Sequence, residues 1–327
     1  MLKILYAASN NENAKIQLAR FMKTMEGKPF VVKVAAYKKS SPTGMNIDWT
    51  LNALLDIVKP DLISYDSDSF STFYEQVKYF SPDLVISDME YFTSQVANLL
   101  DITLWQCSSS LLNFAIEQKY NVGLFSKYSY LMNKNNAART QRQINILANS
   151  NYNFIYSHLG DTVSPPALKN DYDWIRPYHT VGKESIPCHH NVMAGTLINN
   201  RKILTLLKKY GDSVVFTEHS YEQQSGLWLK DIRNQEEYFC NLKNCNLFIC
   251  EGQTSFLADA FYNGKYTLTA TNFQDLECVM NSIFSEHIKL SSMLYQTEDT
   301  LDPFFGQTVT SSYNEKIKYL HEWIEEL

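Results

Sequence analysis

The chain has 327 residues, of which 45% are hydrophobic and 20% charged, and it carries a net charge of −6. That is ordinary globular composition, which excludes long disorder, and its acidity argues against general affinity for nucleic acid. No apolar run approaches the ~18 residues of a membrane-spanning helix, so a soluble, cytoplasmic protein is expected.

At about 150 residues per domain, the length predicts two domains. The cysteines, Cys107, Cys188, Cys240, Cys245, Cys250 and Cys278, form no CxxC pair, which fits free thiols in a reducing compartment. Cys188-His189-His190 is not read as a metal site, because adjacent side chains on an extended segment point to opposite faces.

In chain order, apolar runs at 2–7, 30–37, 62–64, 84–87 and 103–105 alternate with helix-like stretches at 14–25, 49–58, 73–80 and 93–100. This alternation predicts a parallel sheet with helices on both faces, the doubly wound α/β layout, with 153–156 as its last strand. Residues 160–180 hold Ser164-Pro165-Pro166 and Arg176-Pro177, the composition of a linker. The alternation then resumes with runs at 191–194, 214–217 and 247–250 and helical patterns at 201–210 and 236–243. An amphipathic pattern built on Ile317, Leu320, Ile324 and Leu327 predicts a final helix over 313–327. The domains expected are 1–165, 166–310 and a C-terminal helix in 311–327. Net charge divides as +1 over residues 1–165 and −7 over the remainder, so an anionic acceptor would prefer the first half.

The richest stretch is 247–281. Leu247-Phe248-Ile249-Cys250 leads into Glu251-Gly252-Gln253-Thr254-Ser255 and a helix-like segment over 256–262 that stops at Asn263-Gly264. A strand, a tight turn and a helix N-terminus present free backbone N–H groups and the positive end of a dipole, a seat for phosphate or diphosphate. Asp259, on the first turns of that helix, would lie within reach of a ribose. A strand-like run at 266–270 follows, then Asp275, Glu277 and Asn281.

This unit resembles the donor-binding segment of GT-B nucleotide-sugar glycosyltransferases, the superfamily of the MurG-type and monogalactosyldiacylglycerol-synthase-type enzymes. The matching residues are Gly252, Thr254, Ser255, Gly264, Lys265, Glu277 and Asn281. Gln253 stands for a second Gly, Asp259 for the usual Glu and Tyr266 for a Pro. The resemblance implies two Rossmann-like domains, an interdomain cleft, a C-terminal crossover helix, and a nucleotide-sugar co-substrate of the uridine diphosphate type, with no cofactor and no metal. It also implies that Thr254 and Ser255 meet phosphate and that Asp259 and Glu277 meet hydroxyls of sugar or ribose. Gly195-Thr196 would form a second phosphate loop. Glu218, His219, Glu251, Gln253 and Asp275 would face the same cleft from the carboxyl ends of the strands.

Transfer to a hydroxyl with inversion needs a base for the acceptor proton. Asp88, directly after the strand at 84–87, is the first candidate, with Glu90 two residues on and Glu12 in the first loop as its rivals. Ser9, Asn10 and Asn11 of that loop stand where related enzymes carry a Gly-rich turn, and they are candidate acceptor contacts. Asp66-Ser67-Asp68 matches the metal-binding string of GT-A enzymes, but it sits in the acceptor half.

Residues 118–160 contain Lys119, Lys127, Lys134, Arg139 and Arg142 and no acidic residue, interleaved with Tyr120, Phe125, Tyr128 and Tyr130. Lys127, Lys134, Arg139 and Arg142 would pair with phosphates, and Tyr128 and Tyr130 would stack on bases or sugars. The bias towards Asn, Lys, Ile and Tyr looks like an AT-rich genome, as in many bacteriophages, for which the host cytoplasm would be the location. A hydroxymethylated pyrimidine in duplex DNA is therefore one expected acceptor. A cell-surface glycan, a lipid or a small molecule is the alternative, and a nucleotide-sugar 2-epimerase and a non-catalytic nucleotide-sugar-binding protein are further ones. The sequence sets no oligomeric state.

Overall fold

The computed structural model describes residues 1–9, 12–37, 61–65, 70–116, 144–179, 190–195, 201–217, 227–231, 234–271, 276–294 and 300–327. The first sheet is formed by β1 (Leu2–Ala7), β2 (Phe30–Tyr37), β3 (Asp61–Tyr65), β4 (Leu84–Ser87), β5 (Thr103–Cys107), β6 (Tyr152–Tyr156) and β7 (Tyr172–Ile175). Its order is β3-β2-β1-β4-β5-β6-β7 and every pairing is parallel. Helices α1 (Glu12–Met25), α2 (Phe70–Phe80), α3 (Tyr91–Leu99) and α4 (Leu112–Ala115) belong to this half.

Both faces of the sheet are covered, so its central strands are continuous apolar runs rather than alternating ones. Ile4, Tyr6 and Ile86 pack on one face against Leu18 and Phe21 of α1. Leu5, Ala7 and Val85 pack on the other against Phe73 and Val77 of α2 and Val96 of α3.

The second sheet repeats the plan with β8 (Val192–Gly195), β9 (Ser213–Thr217), β10 (Leu227–Asp231), β11 (Leu247–Cys250), β12 (Thr267–Thr269) and β13 (Ser291–Met293) in the order β10-β9-β8-β11-β12-β13, again all parallel. Its helices are α5 (Arg201–Lys209), α6 (Gln235–Asn244), α7 (Thr254–Tyr262) and α8 (Leu276–His287). In each sheet the order reverses beside the first strand, β1 or β8, and ligands collect at the carboxyl ends near such a switch point.

The last helix, α9 (Leu320–Glu325), returns to the first domain: Leu320 and Ile324 are buried in the same cluster as Ile4, Leu18 and Phe21. Trp323 lies 5.2 Å from the Phe154 ring, and Lys28 pairs with Glu325 at 2.5 Å. The crossover is therefore present but shorter than the pattern over 313–327 predicts, and Leu327 is 70% exposed. Residues before it serve as an anchor instead. Asn314 N–H donates to Asp161 at 3.1 Å, and Arg176 donates to the Asn314 carbonyl at 2.9 Å.

The expected boundary at 165 falls too early, because β7 completes the first sheet. Its sequence, Tyr-Asp-Trp-Ile, buries only Ile175, as an edge strand does, and so lacked the apolar run that marks central strands. The polar edge strand β13 escaped for the same reason, and edge strand β10, Leu-Trp-Leu-Lys-Asp, was not predicted either. The helix expected over 49–58 lies outside the described residues. Among the described residues no helix is long and apolar enough to cross a membrane.

Candidate functional site

The junction of β11 and α7 carries the candidate site. Gly252 sits at φ 103°, and a β-carbon there would overlap Ser282 Oγ and the Cys278 carbonyl, so only glycine makes the turn. Gln253 occupies the N-cap position of α7 with no side-chain capping bond. The cap comes from the other domain. Asn13, on the first turn of α1, accepts through Oδ1 from Ser255 N–H at 2.8 Å and from Ser255 Oγ at 2.5 Å.

The same amide donates through Nδ2 to Glu277 Oε1 at 2.9 Å and to Ser109 Oγ at 2.8 Å. Thr254 Oγ1 donates to Glu277 at 3.3 Å and accepts from Asn281 Nδ2 at 2.9 Å; the latter also donates to the Gly252 carbonyl at 3.1 Å. Thr254, Ser255, Glu277 and Asn281 thus converge on one buried point, and the Oδ1 of Asn281 has no hydrogen-bond partner there.

Asp259 is fully buried, and its two oxygens take both arms of the Arg20 guanidinium, at 2.9 and 2.8 Å. The expected ribose contact is thereby corrected to an ion pair between the domains. Gln17 adds to it, donating to Ser255 Oγ at 2.9 Å and accepting from Tyr178 N–H at 2.7 Å. Asn13, Gln17 and Arg20 lie four and three residues apart and therefore on one face of α1, opposite Ser255 and Asp259, which share a face of α7. The sequence carried that spacing, but the apolar residues between hid it.

Asp88 stands at the carboxyl edge of the first sheet. The Ala7↔Ser87 and Ser87↔Gln106 pairings flank it with residues 8 and 107. Its N–H donates to the Ala7 carbonyl at 2.8 Å and its Oδ1 accepts from Ser108 Oγ. Burial pushes its carboxyl up to about 7, and the Ser108 hydrogen bond only partly offsets that. The next residue, Met89, is held at φ 53°, with its N–H on Gln106 Oε1 at 3.1 Å. A left-handed, non-glycine backbone costs roughly 1–3 kcal/mol and tends to mark functional turns.

Glu90 is corrected from base to helix cap: its carboxylate accepts from Phe92 N–H at 3.1 Å and Thr93 N–H at 2.7 Å, closing the first turn of α3. Glu12 is the first residue of α1, and its side chain lies outside the described residues. Ser9 is half-buried at the same edge, and its hydroxyl has no hydrogen-bond partner. Gly195 ends β8 against the Phe256 ring, and Glu251 accepts from Gln253 Nε2 at 3.4 Å. Asn10, Asn11, Lys127, Tyr128, Tyr130, Lys134, Arg139, Arg142, Thr196, Glu218, His219 and Asp275 lie outside the described residues.

Among the described residues no three His, Cys, Asp or Glu side chains are grouped to hold a metal ion, and His190 pairs with Asp212 at 2.9 Å. A cavity of about 420 Å³ opens elsewhere, lined by Thr162, Pro166, Phe261, Lys289 and Ser312 at the far ends of α7 and α8 from this junction.

The arrangement of two Rossmann-like domains recurs in solved structures. The chain is similar to the spinosyn forosaminyltransferase SpnP, with a TM-score of 0.57, 14% identity, and coverage of 94% of this chain and 89% of that one. MurG from Acinetobacter baumannii matches at 0.55 and 13%, over 93% and 88% of the two chains. The spinosyn rhamnosyltransferase SpnG in complex with thymidine diphosphate matches at 0.54 and 10%, over 90% and 86%. The chain has the GT-B fold. No family model matches the sequence, and no curated protein is similar to it at the sequence level.

Proposed function

We propose that this chain is an inverting glycosyltransferase that moves a sugar from a pyrimidine nucleoside diphosphate donor to a hydroxyl acceptor. One observation carries this. The carboxyl ends of both sheets meet at Asn13, which joins the Asp88 edge, through Ser109, to the N-terminus of α7 and Glu277. A diphosphate at that N-terminus gains the Ser255 N–H, the Thr254 and Ser255 hydroxyls and the helix dipole, and no metal is invoked. The SpnG structure with thymidine diphosphate supports a pyrimidine nucleotide, uridine or thymidine, as the donor's base-bearing part.

In this mechanism Asp88 accepts the acceptor's proton, and a carboxylate held near neutral pH is matched to that work. The acceptor oxygen attacks the anomeric carbon from the face opposite the diphosphate, which departs with the bonding electrons. For the acceptor we propose a hydroxymethylated pyrimidine in DNA, on the sequence of 118–160, where five basic residues stand among aromatics without a single acid.

Incubation with uridine and thymidine diphosphate sugars, with and without hydroxymethylated duplex, followed by mass analysis of nucleosides and donors, tests the whole reading. Sugar on the DNA base supports it. Donor consumption only with a glycan, lipid or small-molecule acceptor moves the acceptor class. Isomerised donor without any acceptor makes the protein an epimerase, and a bound but intact donor makes it a binding protein.

A further inference from the structure

The exit of β5 beside Asp88 reads Ser108-Ser109-Ser110. Ser109 accepts from Asn13, the residue that also caps the proposed diphosphate seat, which places this turn beside that seat. Ser108 Oγ donates to Asp88 Oδ1 and lies 2.9 Å from Ser110 Oγ. A hydroxyl has one proton. With the Ser108 proton committed to Asp88, the Ser110 hydroxyl is the donor in that second bond, which leaves its own lone pairs to accept. Asp88 and Ser108 are both buried, at 4% and 1% exposed, and Ser110, at the end of the chain of hydroxyls, is half-buried. We propose that Ser108 and Ser110 form a two-hydroxyl proton relay that carries the acceptor's proton from the cleft to Asp88.

The relay rests on the sugar-transfer function proposed above. In the step, the acceptor O–H gives its proton to Ser110 Oγ, Ser110 passes its own to Ser108, and Ser108 passes its own to Asp88, which ends as the neutral acid. The acceptor oxygen's electron pair forms the bond to the anomeric carbon. The bond from that carbon to the diphosphate oxygen breaks, and its electron pair leaves with the nucleoside diphosphate. Both serines end with one proton each and their hydrogen bonds reversed.

Ser108 also accepts from Ser110 N–H at 3.2 Å as the cap of a 3-10 turn. Ser110→Ala removes the relay and spares that cap, so it separates the two roles. We expect kcat to fall roughly 10–100-fold in Ser110→Ala with the Kd for uridine or thymidine diphosphate unchanged, and Ser110→Thr to restore most of it. In mixed light and heavy water, wild-type turnover should follow a curve that demands more than one proton in flight, and Ser110→Ala should lose that curvature. Wild-type kcat in Ser110→Ala, beside an active wild-type enzyme, overturns the relay alone. A wild type that releases no nucleoside diphosphate from any donor overturns the transfer function and the relay together.

Discussion

Asn13 and Ser255, 242 residues apart, are joined by two hydrogen bonds to one oxygen: the Ser255 N–H and hydroxyl both point at Asn13 Oδ1. The amide oxygen of one domain thereby caps the helix N-terminus of the other. On the proposed function that N-terminus is the phosphate seat, and a donor taking it would have to displace Asn13.

Asn13→Ala should therefore open the seat. Removing a cap costs about 1 kcal/mol of stability, which urea unfolding would register. Freed from competition, Ser255 should bind uridine or thymidine diphosphate more tightly, by roughly three- to tenfold, an energy of the order of one hydrogen bond. Calorimetry that finds weaker binding would make Asn13 a ligand contact instead of a plug.

Arg20 and Asp259 form a buried bidentate pair between domains, with Phe239 beneath the guanidinium at 5.6 Å. Deleting one partner of such a pair strands the other charge, at a cost of about 3–5 kcal/mol. Arg20→Met and Asp259→Leu should each destabilise on that scale, and the double variant should recover a large part of the loss. Nucleotide affinity in the folded fraction should stay near wild type. If stability is kept while donor affinity falls in Asp259→Leu, the carboxylate returns to the donor site.

These two contacts show where the sequence was legible and where it was not. Leu247–Cys250, Gly252 and the helix after Gln253 were readable because a strand, a strained glycine turn and a helix start are local. Asp88 was readable as the residue that ends an apolar run. The partner of Asp259 was not, because Arg20 lies 239 residues away and an ion pair between domains leaves no mark in either local pattern. Glu90 read as a base because a cap and a base are the same residue type at the same strand exit; only the Phe92 and Thr93 N–H groups tell them apart. Edge strand β7 was missed because its polar face removes the signal that marked the interior strands.

His158 gives an acid-stability prediction. It is fully buried beside Phe261, with Nε2 3.3 Å from Ser285 Oγ and no partner on Nδ1, and burial drives its pKa down to about 3. A base whose folded pKa is lowered contributes stability present above its unfolded value of about 6.5 and lost as pH falls towards the folded one. Wild type should thus lose stability from pH 6.5 downwards. His158→Phe should show a shallower loss between pH 6 and 4 by urea midpoints, and an equally steep one would place the acid sensitivity elsewhere.

Asp88 carries the opposite sign. Its folded pKa, about 7, stands above the unfolded carboxylate value of about 3.9, so between those limits the native state holds the extra proton. This group's contribution to stability is fully present below pH 4, declines as pH rises and is lost once pH passes about 7. Activity runs the other way, because only the ionised carboxylate accepts a proton. Turnover should rise through pH 7 and level above it, and Asp88→Asn should lower it by roughly 100-fold or more with donor affinity nearly unchanged. The same substitution should stabilise the fold, by more at pH 8 than at pH 5, since it removes a charge that burial disfavours. Urea unfolding of both proteins at the two pH values, beside pH–rate profiles of wild type, separates the cases. A variant that loses turnover without gaining stability at pH 8 would leave Asp88 ionised at no cost in the fold, and its elevated pKa would have to be abandoned along with the limb at pH 7.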